Sequence, residues 1–190
     1  HTRCSRDWSS DVCSSDLQHL HSFAKLYRHL VLTSDRISGT LKEELEFTEN
    51  YIAMMQFRFA DMFAFEKIIK PGVDLSVDVP KMAIQSFVEN AIRHGLMPRH
   101  DGGILRIEIG MDDSKLKIAI TDNGVGRKHA GIHSQNSTGK GSQIMKEFFE
   151  LYHKTTGHLV LYEIQDIFTE RGAPAGTRVM VFVFLSQIKL

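Results

Sequence analysis

The side chains best suited to chemistry fall in three short segments of the second half of the chain. In the first, the run from Phe87 to Gly95, two pairs stand four residues apart: Glu89 with Arg93, and Asn90 with His94. On a helix this spacing places each pair in one row, while the apolar residues between them face inward. Carboxylate and amide oxygens suit a hard cation such as Mg²⁺, and a glutamate can serve as a base. Taken alone, the run is more typical of a solvated helix face.

The second segment runs from Asp122 to Gly126, directly after the apolar stretch Leu116 to Thr121. A carboxylate at a strand end can accept a hydrogen bond from an exocyclic amine. Gly124 and Gly126 let the backbone approach a flat ring or a phosphate, because no Cβ intervenes. Asp-Asn-Gly is also common turn chemistry, so a simple hairpin turn stays open as the alternative.

The third segment, from Ser137 to Ser142, is rich in glycine and leads into a predicted helix. Gly139, Lys140 and Gly141 would there form a flexible loop at a helix N-terminus, which is a ready anion site. It is not a Walker A loop, because the required spacing of Gly and Lys and the preceding strand are both missing. A flexible linker is the alternative interpretation.

The elements that must position these segments follow from periodicity and turn signals. Pro80 is predicted to open a helix that ends at Gly95, and a second helix contains Ile144, Phe148 and Leu151. A loop is expected from Asn123 to Gly141. Alternating or β-branched runs predict strands at Phe65 to Ile69, Leu75 to Val79, Ile104 to Ile109, Leu116 to Thr121, Leu159 to Ile167 and Thr177 to Leu185. This order predicts an α+β fold, a two-layer α/β sandwich with one sheet and helices on one face.

Two amphipathic helices are predicted ahead of that domain, from Leu20 to Ile37 and from Leu41 to Met62. Thr40 and Glu43 are spaced as a capping box that starts the second helix. Both apolar stripes have coiled-coil-like spacing, so we interpret them as a helical hairpin or dimer face.

Composition limits the class of protein. The 190 residues are 42% hydrophobic, and 23 Lys and Arg balance 23 Asp and Glu, which excludes a disordered chain and leaves no broad basic field for nucleic acid. The sequence contains no uninterrupted apolar run of about 18 residues, as a membrane span would need.

The first 17 residues differ from the rest of the chain. They hold both cysteines and the single tryptophan, show no helical or strand period, and resemble translated adapter sequence. A genuine Ser- and Asp-rich disordered terminus is the alternative. Without them the chain has no cysteine, which fits a reducing compartment and excludes a disulfide framework. We therefore expect a tail over 1–17, a helical dimerisation segment over 18–64, and a catalytic domain over 65–190.

The order of the three segments is that of the GHKL ATPases, the superfamily of histidine kinases, gyrases, Hsp90-type chaperones and mismatch-repair proteins. Three runs resemble the LytS-type sensor histidine kinases in particular: VPKMAIQSFVENAIRHG, LEFTENYIAMMQFRF and PAGTRV. The resemblance extends over about residues 20–185. It implies an ATP-binding domain of that fold, with ATP and Mg²⁺ as its ligands.

The resemblance also implies residue roles. Asn90 would help hold Mg²⁺ on the phosphates of ATP, Glu89 would be the base or polarising carboxylate, and Asp122 would receive the adenine amine. The remaining nucleotide-site residues would be Gly124 and Gly126 in the pocket, Gly139 and Gly141 as lid hinges, Thr177 near the adenine through water, and Arg93, His94, Gly95 and Lys140. The lid of the family commonly reads Gly-Ile-Gly-Leu, followed two positions later by Asn. This chain departs from it at Lys140, Ser142 and Ile144.

The phosphoacceptor of the family is missing. In LytS-type kinases the phosphorylated histidine lies in an Asn-Pro-His-Phe motif, and the chain contains none. His19, His21 and His29 lack that context and are interpreted as ordinary surface histidines.

The resemblance therefore implies the cytoplasmic catalytic part of a membrane-anchored kinase that is homodimeric through its N-terminal helices. It would transfer the γ-phosphoryl group of ATP to a histidine, and onward to a response regulator, often of the LytTR type. The alternatives are an ATP-operated clamp of the gyrase or chaperone kind and a nucleotide-free interaction module.

Overall fold

The computed structural model describes residues 36–59, 62–99, 101–127 and 138–185. The tail over 1–17, almost all of the first predicted helix, and His19, His21 and His29 lie outside these ranges. The helices are α1 (Leu41–Arg58), α2 (Ala83–Asn90) and α3 (Thr138–Thr156), and a π-helical segment, Ala91–Leu96, continues α2. The strands are β1 (Ser38–Thr40), β2 (Phe63–Ile69), β3 (Asp78–Pro80), β4 (Gly103–Asp112), β5 (Lys115–Asp122), β6 (Leu159–Phe168) and β7 (Pro174–Phe184).

Within the described ranges, β2, β4, β5, β7 and β6 form one five-stranded sheet in that order. β2 pairs with β4 in parallel, and the other neighbours are antiparallel. Alternate residues of β4, namely Leu105, Ile107 and Ile109, are fully buried on the face that the helices cover, as the period of two in a half-covered sheet requires. The predicted α+β sandwich is confirmed, and so is the β4–β5 hairpin.

Helix α1 begins as predicted and packs against the sheet and α2. The capping box is present, with the Glu43 amide 3.2 Å from Thr40 Oγ1 and the Thr40 amide 2.8 Å from Glu43 Oε2. Its buried stripe, which includes Leu41, Leu45 and Ile52, joins the same core as the sheet and α2. The described stripe of α1 therefore packs within its own chain. Core-facing and partner-facing stripes share one spacing, so the sequence could not separate them. The first predicted helix lies outside the described ranges, so the helical hairpin, dimerisation through the N-terminal helices and the boundary at residue 65 stay predictions.

The segment between β2 and α2 was also predicted wrongly in part. Leu75 to Val79 does not form a strand beside β2; only Asp78–Pro80 is a strand, and it pairs with β1. The carbonyl oxygens of Leu75 and Val77 instead accept from the first amides of α1, at 3.0 and 2.8 Å. These amides have no partner within their own helix, and satisfying them takes precedence over extending a hairpin.

One further boundary and one buried face differ from the prediction. Pro80 lies in β3 rather than in the first turn of α2, which starts at Ala83. Among the described side chains of α3, Phe149 and Tyr152 are buried, whereas Leu151 is 49% exposed. No helix within the described ranges is long and apolar enough to cross a bilayer.

Candidate functional site

Helix α2 carries the first group of predicted site residues. Phe87, Val88 and Ile92 are buried, which turns Glu89 to a half-buried position and leaves Asn90 exposed at the end of the helix. Because the helix is amphipathic, packing its apolar face fixes the direction of its polar face.

The predicted pairing of Glu89 with Arg93 is observed. Arg93 Nη1 lies 3.0 Å from Glu89 Oε1, so an ion pair accompanies the candidate base. Both side chains are more than one-third exposed, and such a solvated pair opens at little cost.

The helix widens after Asn90 into the π-helical segment, where the Met97 amide donates to the Ile92 carbonyl at 2.8 Å. Single π-helical turns within α-helices occur frequently at functional sites. Here the segment carries Arg93, His94 and Gly95, of which the two side chains are exposed and Gly95 is buried against the sheet.

Asp122 ends β5 and is only 3% exposed. Its Oδ1 accepts from the Gly124 amide at 2.9 Å, and the backbone amide of Thr177, its register partner on β7, also donates to the carboxylate. Burial raises the pKa of Asp122 to about 6, and the two amide hydrogen bonds oppose that rise. Near neutral pH the fold thus holds a mainly ionised carboxylate that has little water around it. Such a carboxylate favours a further hydrogen-bond donor.

Glycine backbones bring the helix and β5 together. A Cβ on Gly124 would lie 2.2 Å from the carbonyl carbon of Gly95, and a Cβ on Gly95 would lie 2.6 Å from Asp122 Oδ1. The Val125 amide donates to the Gly95 carbonyl at 3.0 Å and closes the contact. The structure therefore brings Gly95, Asp122 and Gly124 into one cluster at the junction of the π-helical segment and β5.

Gly126 and Thr177 lie at the same edge. Gly126 has a φ of 73°, and a Cβ there would lie 2.9 Å from Pro174 Cβ, at the start of β7. Gly176 has a packing role that was not predicted: a Cβ there would lie 2.0 Å from the Asp122 carbonyl oxygen. The available signal was the Ala-Gly-Thr run, which lies near the start of β7.

The predicted lid is only partly described. Helix α3 begins at Thr138, so Gly139, Lys140 and Gly141 belong to its first turn and do not lie in a preceding loop. The predicted loop ended at Gly141, so that boundary was placed four residues too late, over 138–141. Residues 128–137 lie outside the described ranges, and the lid role of the three residues stays a prediction.

Two arginines beside the cluster were missed. Arg127, directly after Gly126, forms a bidentate pair with Asp166 on β6, at 2.6 and 2.8 Å. Arg99 pairs with Asp101 and donates to the Asn123 carbonyl. Planar two-bond pairs of this kind fix geometry as well as charge, and the first holds the chain leaving Gly126 against β6. A charged residue immediately after the Gly-x-Gly was the available signal.

The donor set near Asn90 is suited to Mg²⁺ bound through a substrate. The described residues contain no group of three or more His, Cys, Asp or Glu that could hold a metal ion alone. Mg²⁺ commonly keeps several waters and is held by one or two protein oxygens together with substrate phosphates. An exposed amide oxygen at Asn90 and the neighbouring Glu89 carboxylate fit that mode of binding.

The comparisons agree with this architecture. The family model described as histidine kinase matches residues 14–63. The sensor protein LytS of Oceanobacillus iheyensis is 35% identical over 86 residues, which cover 45% of this chain and 14% of LytS. A sensor-like histidine kinase of Staphylococcus epidermidis is 39% identical over 142 residues, covering 74% of this chain and 26% of that protein. The match thus spans about a seventh to a quarter of these relatives.

Solved structures share the fold. The catalytic domain of the histidine kinase ThkA superposes with a TM-score of 0.51 at 15% identity, covering 80% of this chain and 97% of that domain. The mycobacterial sensor histidine kinase MprB gives a TM-score of 0.50 at 19% identity, covering 80% and 98%. The sequence and fold matches together relate the chain to the LytS-type sensor histidine kinases, with the fold of a histidine kinase catalytic domain.

Proposed function

We propose that this chain binds Mg·ATP as the catalytic domain of a two-component sensor histidine kinase and transfers the γ-phosphoryl group to a histidine. The observation that carries the proposal is the buried carboxylate of Asp122, held by two backbone amides where Gly95 and Gly124 meet. A buried hydrogen-bond acceptor at a strand end, beside glycine residues that have no Cβ atoms, is suited to binding a flat base that carries an amine.

Adenine suits the acceptor better than guanine does. Above its pKa of about 6, Asp122 is ionised and accepts only. Adenine presents an amine at the position where guanine presents a carbonyl oxygen. An amine would pair with the carboxylate, whereas a carbonyl oxygen would face it with no hydrogen between them. The site therefore favours ATP over GTP.

The phosphates would lie toward the end of α2. Asn90 would help hold Mg²⁺, which neutralises phosphate charge when it is bound. Glu89 is placed one residue away and would accept the proton of the attacking imidazole or orient it. Arg93, His94 and Lys140 remain candidates for phosphate contact, and Gly139 and Gly141 for the hinge of a lid.

The reaction would place an imidazole nitrogen in line with the γ-phosphorus of ATP. A nitrogen–phosphorus bond forms, the bond from the γ-phosphorus to the bridging oxygen breaks, and ADP leaves. The acceptor histidine would come from an Asn-Pro-His-Phe helix, which this chain lacks. In the whole kinase, a homodimer anchored in the membrane, the phosphoryl group would pass on to an aspartate of a response regulator, of LytTR type.

Calorimetric titration tests the nucleotide site. We expect the chain to bind Mg·ATP more tightly than Mg·GTP, and Asp122→Ala to lose most of that affinity, because the pocket is left without its acceptor. Asp112→Ala is the matched control, since Asp112 also ends a strand but is solvated and pairs with Lys117 at 2.5 Å. Equal binding by Asp122→Ala and the parent chain would refute the assignment.

The titration, together with assays of ATP hydrolysis and of transfer to a supplied acceptor helix, separates the alternatives. A chain that binds ATP and hydrolyses it, yet never phosphorylates a supplied acceptor helix, would be an ATP-operated clamp. A chain that binds no nucleotide would be an interaction module.

A further inference from the structure

Helix α2 has no capping side chain at its own N-terminus. Its N-cap residue, Met82, has an apolar side chain and a left-handed backbone, with a φ of 59°. Helices normally satisfy their first amides with a Ser, Thr, Asp or Asn at this position. Here a different helix supplies the acceptor: the amides of Met82, Ile84 and Gln85 lie 2.9, 3.1 and 3.4 Å from the carboxylate oxygens of Glu44 on α1.

The carboxylate of Glu44 lies in an unusual environment, because it is buried. The residue is 3% exposed. Burial raises its pKa, and the three amides together with the charge of Lys81 lower it. A buried carboxylate is costly unless its oxygens are hydrogen-bonded. The positive end of the α2 dipole and its three amides compensate that cost, so the carboxylate and the helix start depend on each other.

Two contacts indicate that α1 and α2 run side by side in the same direction. Glu44 lies at the start of α2. Tyr51 is seven residues further along α1, just as Glu89 is seven residues beyond Met82, and seven residues advance each helix by about 10.5 Å. Burial raises the pKa of the Tyr51 phenol, and the negative charge of Glu89 raises it further, so Tyr51 and Glu89 lie within electrostatic range.

Helix α2 is thus fixed at two ends by different elements. Glu44 of α1 holds its first turn, and the contact of Gly95 with Gly124 holds its continuation against β5. Glu89 and Asn90 lie between these points. Asp122 belongs to β5 and receives its hydrogen bonds from Gly124 and Thr177, which do not involve α1.

We propose that Glu44 is a positioning residue for the Mg²⁺ side of the nucleotide site, acting through the first turn of the helix that carries Glu89 and Asn90. The inference rests on the proposed function, because it assigns the phosphates of ATP to the end of α2.

Glu44→Gln tests the proposal in the full chain. Glutamine keeps the length and one oxygen but points an NH₂ group at amides that are themselves donors. Glu46→Gln is the matched control, since Glu46 lies on the same helix, is 64% exposed and reaches only Lys42 at 4.0 Å. Two affinities are measured by calorimetry: that for ADP in EDTA, which reports the adenine side, and that for Mg·ATP.

We expect Glu44→Gln to bind Mg-free ADP within about two-fold of the parent and to lose about ten-fold in Mg·ATP affinity, a change of about 1.4 kcal/mol. Mg·ATP binding equal to that of Glu46→Gln would overturn the proposal. Equal losses for both nucleotides would also overturn it, because they indicate a general structural effect. A parent chain that binds neither nucleotide refutes the proposed function, and this inference with it.

Glu44→Asp decides the matter if Glu44→Gln does not fold. It keeps the charge, but a side chain shorter by one methylene cannot reach all three amides. The same selective loss for Mg·ATP is expected, and unchanged Mg·ATP affinity would overturn the proposal.

Discussion

At the scale of one residue, Asp122 illustrates how burying a proposed binding group lowers the free energy of unfolding. The proposed adenine site uses this carboxylate as an acceptor, yet the fold removes it from water and gives it two backbone amides as partners. Burial raises its pKa from the ordinary value of 3.8 to about 6, so the native state binds a proton more readily than the unfolded chain does. Without nucleotide, ionised Asp122 therefore opposes folding.

Asp122→Asn should accordingly stabilise the nucleotide-free chain at pH 8. The native carboxyl favours the protonated form, so its contribution to stability is complete below about pH 4 and is lost as pH rises through about 6. A difference of about 2 pKa units corresponds to about 3 kcal/mol. Urea denaturation should show the stability of the variant relative to the parent rising by up to that amount between pH 4 and pH 8. The cost of an amide NH₂ group beside the Gly124 and Thr177 amides is the same at both pH values and does not affect this rise.

A difference that stays the same at both pH values would show that charge is not its cause. Asp112→Asn provides the comparison. The hydrogen bond and charge of Lys117 lower the pKa of Asp112, so its pH dependence should have the opposite sign.

The contact of the π-helical segment with β5 is the decisive feature at the scale of elements. It consists of backbone against backbone, with Gly124 seated on Gly95 and a hydrogen bond from Val125 to the Gly95 carbonyl. Any side chain at Gly124 would have to displace main chain, because the atoms in its way belong to the peptide of Gly95 and cannot rotate aside.

Gly124→Ala should therefore lower the free energy of unfolding by about 1–3 kcal/mol or more, as overpacking of a rigid site does. Nucleotide affinity should fall with it, since the displaced peptide adjoins Asp122. Thermal denaturation and calorimetry measure the two effects. Gly110→Ala is the control: its Cβ would approach only Lys70 Cδ, at 3.2 Å, which is part of a flexible side chain.

One result of comparing the two glycine variants would contradict this prediction. If Gly124→Ala is no less stable than Gly110→Ala, the backbones can separate freely, and the close approach does not shape the site.

At the scale of the whole molecule, the proposed nucleotide site and the missing acceptor motif make separable predictions. The groups assigned to Mg·ATP are brought together in one chain, while the Asn-Pro-His-Phe histidine is absent. Phosphoryl transfer depends on in-line placement, so a displaced histidine loses orders of magnitude in rate.

We expect no autophosphorylation of the purified chain and transfer to a supplied helical hairpin that carries Asn-Pro-His-Phe. Radiolabelled ATP is incubated with the chain alone and with the mixture, and acid-labile, base-stable label is followed on each component. Label on the chain alone at the rate of the mixture, abolished by His19→Gln or His21→Gln, would show that it carries its own acceptor.

Removing residues 1–17 should leave folding and nucleotide affinity unchanged, because this segment has no apolar period with which to join a core. Thermal denaturation and calorimetry of the truncated chain measure both. A fall in melting temperature of more than about 3 °C, the shift expected for about 1 kcal/mol in a chain of this size, would show that the tail packs.

Much of this architecture was predictable because its signals are local. The capping box at Thr40, the β4–β5 hairpin and the polar face of α2 each depend on spacing within a few residues. Boundaries were predicted less well where a distant partner intervened. Leu75 and Val77 supply carbonyls to α1, and Glu44 replaces the missing cap of α2.

By itself, the sequence determined the capping box of α1, the helices, most strands of the five-stranded sheet and the residues available for chemistry, since periodicity and side-chain chemistry are properties of short stretches. It did not predict the short strands β1 and β3 or the π-helical segment. Only the tertiary structure decided that the stripe of α1 faces its own domain, that Gly95 touches Gly124, and that burial raises the pKa of Asp122. These features depend on which surfaces meet and on how much water is removed between them. Contacts of that kind join residues far apart in the chain, where no local pattern records them.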